Sequence, residues 1–185
     1  MIDDLLALLH SWVDRGAVVD YDDEQVAAPH TVIAAFDAAG FDDDVARLTA
    51  GAEHLQRLGD RLGGVCADLP EVWSGPGGVS AATAAGRLHE ELAAAADQLT
   101  VQARTAATAA AVLGEVLGEY RTVMAAAAAP LAVGTSPQAA GDELSARLDA
   151  ARAAGLATER AVRESLDVLA DQWRTAGELI LAGGR

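Results

Sequence analysis

The side chains best suited to chemistry in this 185-residue chain are four histidines, a run of acidic residues and two serines beside a glycine-rich stretch. No two of His10, His30, His54 and His89 stand at metal-ligand spacing. Glu53 beside His54, and Glu90 and Glu91 beside His89, point in different directions if these segments are helical, because sequence neighbours do not share a helix face. The histidines therefore read as solvated positions on helix faces. Asp20, Asp22, Asp23 and Glu24 have the charge to attract calcium, but a calcium loop counted from Asp20 needs glycine sixth and glutamate twelfth, and the chain has Gln25 and Thr31 there. A solvated acidic loop is the simpler reading. Ser74 and Ser80 have no histidine in local sequence to activate them. The run Gly75-Pro76-Gly77-Gly78 lacks both the lysine and the preceding strand of a phosphate-binding loop. No signature of an enzyme, a metal site or a cofactor emerges.

The formal net charge is -15, and all 13 basic residues are arginines, since the chain has no lysine. Nucleic-acid binding needs cations that release counterions from phosphates, so this balance argues against it, and it disfavours anionic membrane surfaces as well. A chain of this length buries about 70% of its unfolded surface, enough to stand without disulfides or metals. Cys66 is the only cysteine and is expected to act as a small buried hydrophobe. Met1 is followed by Ile2, Asp3 and Asp4 rather than a basic segment, so no secretory leader is expected. The alanine-rich stretches are broken by Arg, Glu, Gln or Asp before they reach membrane-spanning length, which predicts no stable membrane insertion.

Apolar spacing predicts a mostly helical chain. Leu5, Leu6, Leu9, Trp12 and Val13 mark a short amphipathic helix over residues 2–14 that Gly16 ends. Residues 17–42 are mixed: VVDYDDEQVAA reads as a strand or turn, and PHTVIAAFDAAGF as a short helix stopping at Gly40. Residues 1–41 are thus an appended region. From a cap at Asp42, Asp43 and Asp44, a heptad register places Val45, Ala52, Gly59 and Cys66 at one position and Leu48, Leu55, Leu62 and Leu69 at the other. Pro70 is expected to stop this helix. A second helix is predicted from about Val79 to Ala128, with Leu88, Leu92, Leu99, Leu113, Val116, Tyr120 and Val123 in its stripe. At 1.5 Å per residue it would extend about 75 Å. Residues 130–141 read as a linker. A long third helix is expected over 142–185, starting near Asp142 and Glu143, with Leu144, Leu148, Val162, Leu166, Leu169, Trp173 and Ile180 along one side. The expected fold is all-α: an elongated antiparallel helical bundle built on a hairpin over residues 42–129, with the third helix folded back along the second.

Between the first two long helices stand Trp73, Ser74 and Gly75, followed by Pro76, Gly77 and Gly78. A large aromatic at such a corner would plug the end of a hairpin, and is expected to be buried against both helices, while the glycines let the backbones approach. This Trp-Xaa-Gly turn resembles that of the WXG superfamily of small helical proteins exported by type VII (ESX) secretion systems. The longer string Ser74-Gly75-Pro76-Gly77-Gly78 is similar to the turn region of the PPE and EspB-like secretion-associated proteins. The resemblance covers roughly residues 43–128. The alanine-rich composition, free of lysine and asparagine, suits a GC-rich genome and agrees with an actinobacterial source, where ESX systems are common.

The resemblance implies a non-enzymatic protein that works by helix-to-helix association, with another helical protein (WXG, PE-like or LXG-type) or with itself. Leu48, Leu55, Leu62, Leu69, Leu166 and Trp173 are the expected interface, and secretion or display at the cell surface the expected fate. One departure matters. Exported members or their partners carry Tyr-Xaa-Xaa-Xaa-Asp/Glu beyond the second helix, whereas here Tyr120 is followed at that offset by Met124, and Tyr21 by Gln25. The alternative is a cytoplasmic adaptor or chaperone that covers the apolar stripe of another helical protein.

Overall fold

The computed structural model describes the backbone of residues 1–183 and the side chains of residues 1–175, and every element among them is helical. In chain order these are α1 (Ile2–Val13), α2 (Asp23–Ala27), a single 3₁₀ turn (Ala28–His30), α3 (Thr31–Ala35), α4 (Ala38–Val72), α5 (Pro76–Ala127) and α6 (Pro137–Gly183). Two compact units result. One combines residues 1–37 with 111–167, the other residues 38–110 with those from 168 onward.

In the first unit, α1 turns Leu5 and Leu9 inward and leaves Val13 exposed at its end. Gly16, at φ 93°, lets the Ala17 amide reach back to the Trp12 carbonyl and its own amide to that of Val13, which closes the helix end in a Schellman arrangement. Ala17 then enters a cluster with Leu131, Ala140 and Leu144, against which Leu8, Trp12 and Val19 pack. Asp22 opens α2 through a capping box: its carboxylate accepts from the Gln25 amide at 2.7 Å, and the Gln25 side chain accepts from the Asp22 amide at 3.1 Å. The stretch that reads as strand or turn is therefore an extended approach to a capped helix. The expected single helix over residues 29–40 is broken instead, because Phe36 adopts an extended backbone after α3 and a new helix starts at Ala38.

The last carbonyls of α5 have no partner within their own helix. Arg147 of α6 supplies one, donating to the carbonyls of Ala127 and Ala129 while pairing with Glu143 at 2.6 Å. The third long helix begins at Pro137, not near Asp142: Ser136 caps it, accepting the Ala139 amide on its hydroxyl and the Ala140 amide on its carbonyl, and proline suits the first helical position. Gly141, expected in a linker, is buried inside α6, where a Cβ would lie 2.6 Å from the Val18 carbonyl oxygen.

In the second unit, the heptad of α4 faces α5. Ala52 and Gly59 are buried, and Leu48, Leu55, Leu62 and Leu69 are half-buried beside them. A Cβ on Gly51 would touch the Leu99 side chain at 3.5 Å, Gln56 donates to Thr100 at 3.5 Å, and a Cβ on Gly63 would meet the His89 ring at 3.1 Å. These contacts run in opposite directions along the two helices. On α5, Ala96, Ala103 and Ala106 are buried, so small side chains on both helices allow close approach. Two boundaries depart from expectation. α4 starts at Ala38, which leaves the Asp42–Asp44 triplet inside it rather than at its cap, and it runs through Pro70 to Val72. Pro70 removes one amide donor only in the last turn, on the exposed side, and the Trp73 amide still reaches the Leu69 carbonyl at 3.0 Å.

Candidate functional site

The turn is built from one positive-φ glycine and a helix start. Gly75, at φ 91°, takes a conformation costly for other residues, and its carbonyl accepts the Val79 amide at 3.1 Å as α5 begins. Pro76 occupies the first position of α5, three residues earlier than the apolar pattern alone suggests. Trp73 is 53% exposed, which overturns the expectation of a buried plug. Because α4 continues past Pro70, Trp73 lands beyond the helix pair and leans on the first turn of α5, where a Cβ on Gly77 would touch its ring at 3.8 Å. Glycines cannot enclose a ring. Gly78 is the strict requirement here: a Cβ on it would fall 2.0 Å from the Trp73 carbonyl oxygen. Ser74 and Gly75 are exposed, as are Val72 and Val79 on either side.

Trp73→Ala is accordingly expected to cost about 1 kcal/mol, half or less of what full burial of a large apolar side chain contributes, and so to move the melting temperature only slightly. A loss of about 3 kcal/mol or more, the range for truncating a buried tryptophan, would show that the ring is enclosed in solution.

Of the remaining interface residues expected from sequence, the α4 leucines are half-buried against α5, whereas Leu166 and Trp173 are exposed. In the second unit, Trp173 and Asp171 of α6 and Val101 and Thr105 of α5 line an open, mainly apolar groove of about 650 Å³. Ile180 lies outside the described side chains. Cys66 is free and half-buried.

The four histidines do not converge, but two of them are not solvated. His89 is half-buried, and its Nδ1 is buried without a hydrogen-bond partner. His30 is 4% exposed, and its Nδ1 is hydrogen-bonded to the hydroxyl of Tyr120, itself 6% exposed, at 2.9 Å. The ring lies on bare backbone of α6, since a Cβ on Gly155 would come within 2.8 Å of both Cε1 and Nδ1. Burial lowers the pKa of His30 and raises that of Tyr120, so both stay uncharged at neutral pH. The crevice beside them, lined by Tyr21, Gln25, Leu148 and Arg152 among others, has no room for a water molecule. That packing can position helices; it cannot admit a substrate. Tyr21 donates its hydroxyl to Asp149, which raises its pKa, so both tyrosines have committed hydroxyls. His10 pairs with Asp23 at 2.7 Å on the surface, and His54 is exposed. Among the described residues, no group of three or more His, Cys, Asp or Glu side chains is arranged to hold a metal, and no helix is long and apolar enough to cross a membrane.

No family model, no curated protein and no solved structure matches this chain.

Proposed function

We propose that this chain is a WXG-type helical protein associated with type VII (ESX) secretion, and that it acts without catalysis by laying its helices against a helical partner. The observation that carries the reading is the Trp73-Ser74-Gly75 turn between α4 and α5, with its tryptophan displayed rather than enclosed. Further support comes from the apolar side chains left at the surface of the second unit, Val72, Val79, Val101 and Trp173 among them. Isolated surface hydrophobes are ordinary, but apolar residues lining a groove are a common form of protein interface. In this reading the fold is an elongated antiparallel bundle whose WXG hairpin spans residues 42–129. Its partner is a WXG, PE-like or LXG-type protein or a second copy of this chain. The protein ends up secreted or at the cell surface.

The export signal is then the partner's to supply. Tyr120, the tyrosine nearest the expected position, lies in the interior bonded to His30, and Met124, which replaces the acidic residue, is 0% exposed. A receptor cannot read either without unfolding the helix end. This burial favours one competing reading, a cytoplasmic adaptor that covers another helical protein and stays behind.

Co-expression with neighbouring helical genes should yield a stable complex, and the chain should be present in culture filtrate of wild-type cells and missing from that of ESX-deficient cells. A complex that stays in the cytoplasm of both strains would favour the adaptor. Recovery as an unpartnered cytosolic monomer, indifferent to loss of the ESX machinery, would rule out both.

A further inference from the structure

The first unit holds a buried titratable pair that the proposed function does not use. His30 belongs to the N-terminal segment, Tyr120 to α5 and Gly155 to α6, so a single imidazole ties its own segment to two others of the unit. The tyrosine hydroxyl both donates and accepts, so this hydrogen bond alone does not oppose protonation. The surroundings do. From the N-terminal segment the crevice is faced by Tyr21 and Gln25, from α5 the ring is met by Tyr120, and from α6 the charged neighbour is Arg152, a cation. Among the described residues, no carboxylate lines it. The nearby acids have other partners: Asp149 accepts from Tyr21 at the edge of the crevice, Asp22 serves the α2 cap, and Glu159 pairs with Arg163 at 2.7 Å. Glu24 lies with Asp22 and Glu159 on a separate open cleft that shares Gln25 and Arg152 with the crevice.

We propose that His30 is an acid-sensitive latch: neutral, it holds residues 1–37 against α5 and α6, and its protonation releases that segment and uncovers the apolar faces of the helices beneath. A charged imidazole at this site would be enclosed, away from water, without an acid lining the crevice to pair with. It cannot withdraw toward α6, where it already lies on the backbone of Gly155. Relief comes when the segment lifts. The open form takes up the proton at an ordinary imidazole pKa, about 6.5, and the closed form only below that. The contribution of His30 to closure is therefore complete above about pH 6.5 and falls as pH drops below it. The open-to-closed ratio rises by up to about tenfold per pH unit until the closed form also binds the proton. The surface uncovered includes Ala140 and Leu144, which Ala17, Leu8 and Trp12 cover in the closed unit. Acid would thus convert a covered helix face into an exposed one without breaking a covalent bond.

The test uses the full chain carrying Trp73→Phe and Trp173→Phe, two exposed positions, so that Trp12 is the sole tryptophan. Between pH 7.5 and 5.5 its emission should shift reversibly to the red. Over the same range amide exchange in residues 23–35, corrected for the intrinsic effect of pH, should quicken by about tenfold. His30→Gln, which cannot titrate, should abolish both changes, while His10→Gln should leave them in place. Persistence of the changes in His30→Gln, or their absence from the parent protein, overturns the latch. Should His30→Gln fail to fold, the ring proton signal of His30 in the parent protein decides. Proton uptake below pH 6.5 that coincides with the faster exchange supports the proposal, and uptake without opening, or at pH 6.5 and above, refutes it.

Discussion

Cutting Leu144 back to alanine is expected to lower the unfolding free energy by about 2–5 kcal/mol, the span seen for fully buried leucines. Leu144 is 0% exposed and sits where α6, the segment around Leu131 and the N-terminal segment meet, in contact range of Ala17, Ala140 and the side chains of Leu8 and Trp12. Two of its neighbours are alanines, too short to fill the space it vacates, so collapse is limited and the upper half of the range applies. Against a total stability of about 5–15 kcal/mol, that loss is large. Urea denaturation followed by Trp12 emission, in the chain carrying Trp73→Phe and Trp173→Phe, would measure it, with Leu88→Ala, at an exposed position of α5, as the comparison. A change at Leu144 no greater than that at Leu88 would mean that the cluster is not the centre of the first unit.

The same substitution at two helical glycines is expected to act with opposite sign. At Gly155 an added methyl group would meet His30 at 2.8 Å and the Pro29 carbonyl oxygen at 2.9 Å, and the second of these is backbone that cannot rotate away. Overpacking of this kind costs about 1–3 kcal/mol, more than the roughly 0.5–1 kcal/mol that alanine gains over glycine in a helix. Gly155→Ala should therefore destabilise. At Gly114, in α5, nothing lies within 4 Å of the added carbon, so Gly114→Ala should keep the whole helical gain. Paired thermal and urea melts of the two variants would check this. Stabilisation by both would show that the N-terminal segment does not press on α6 at Gly155.

The parts of this fold that a sequence makes legible are those with a period. The leucines of α4 recur every seven residues, and the register they define agrees with the half-buried leucines and buried Ala52 and Gly59 of that helix. Helix starts were partly written in residue pairs: Ser136-Pro137 and Gly75-Pro76 each place a cap before a proline, although the glycine and proline around them read as linker. The end of α4 was not legible, because a proline ends most helices and only the local exposure of the last turn tolerates it here. Trp73 followed from that error, since three more helical residues carry it past the place where two helices would enclose it. The His30–Tyr120 pair left no trace in the pattern. Its members are 90 positions apart, and Gly155, which makes room for them, looks in sequence like Gly114, which makes room for nothing.

The first unit is completed by residues 1–37 and 111–167, with all of α4 and about two thirds of α5 lying between them in the chain. On the ribosome this order sets a sequence of events. Residues 38–110 can begin to pair while still being followed by nascent chain, but Leu8 and Trp12 of α1 lack Ala140 and Leu144, on which they pack, until α6 has emerged. At translation speeds of about 5–20 residues per second that wait lasts roughly 7 to 26 seconds. Closing so long a loop also carries an entropic cost that only the late contacts repay, which slows folding. A chain halted before α6 would therefore carry Leu8 and Trp12 without Ala140 and Leu144, and this amphipathic stretch would be the first candidate for a chaperone to hold.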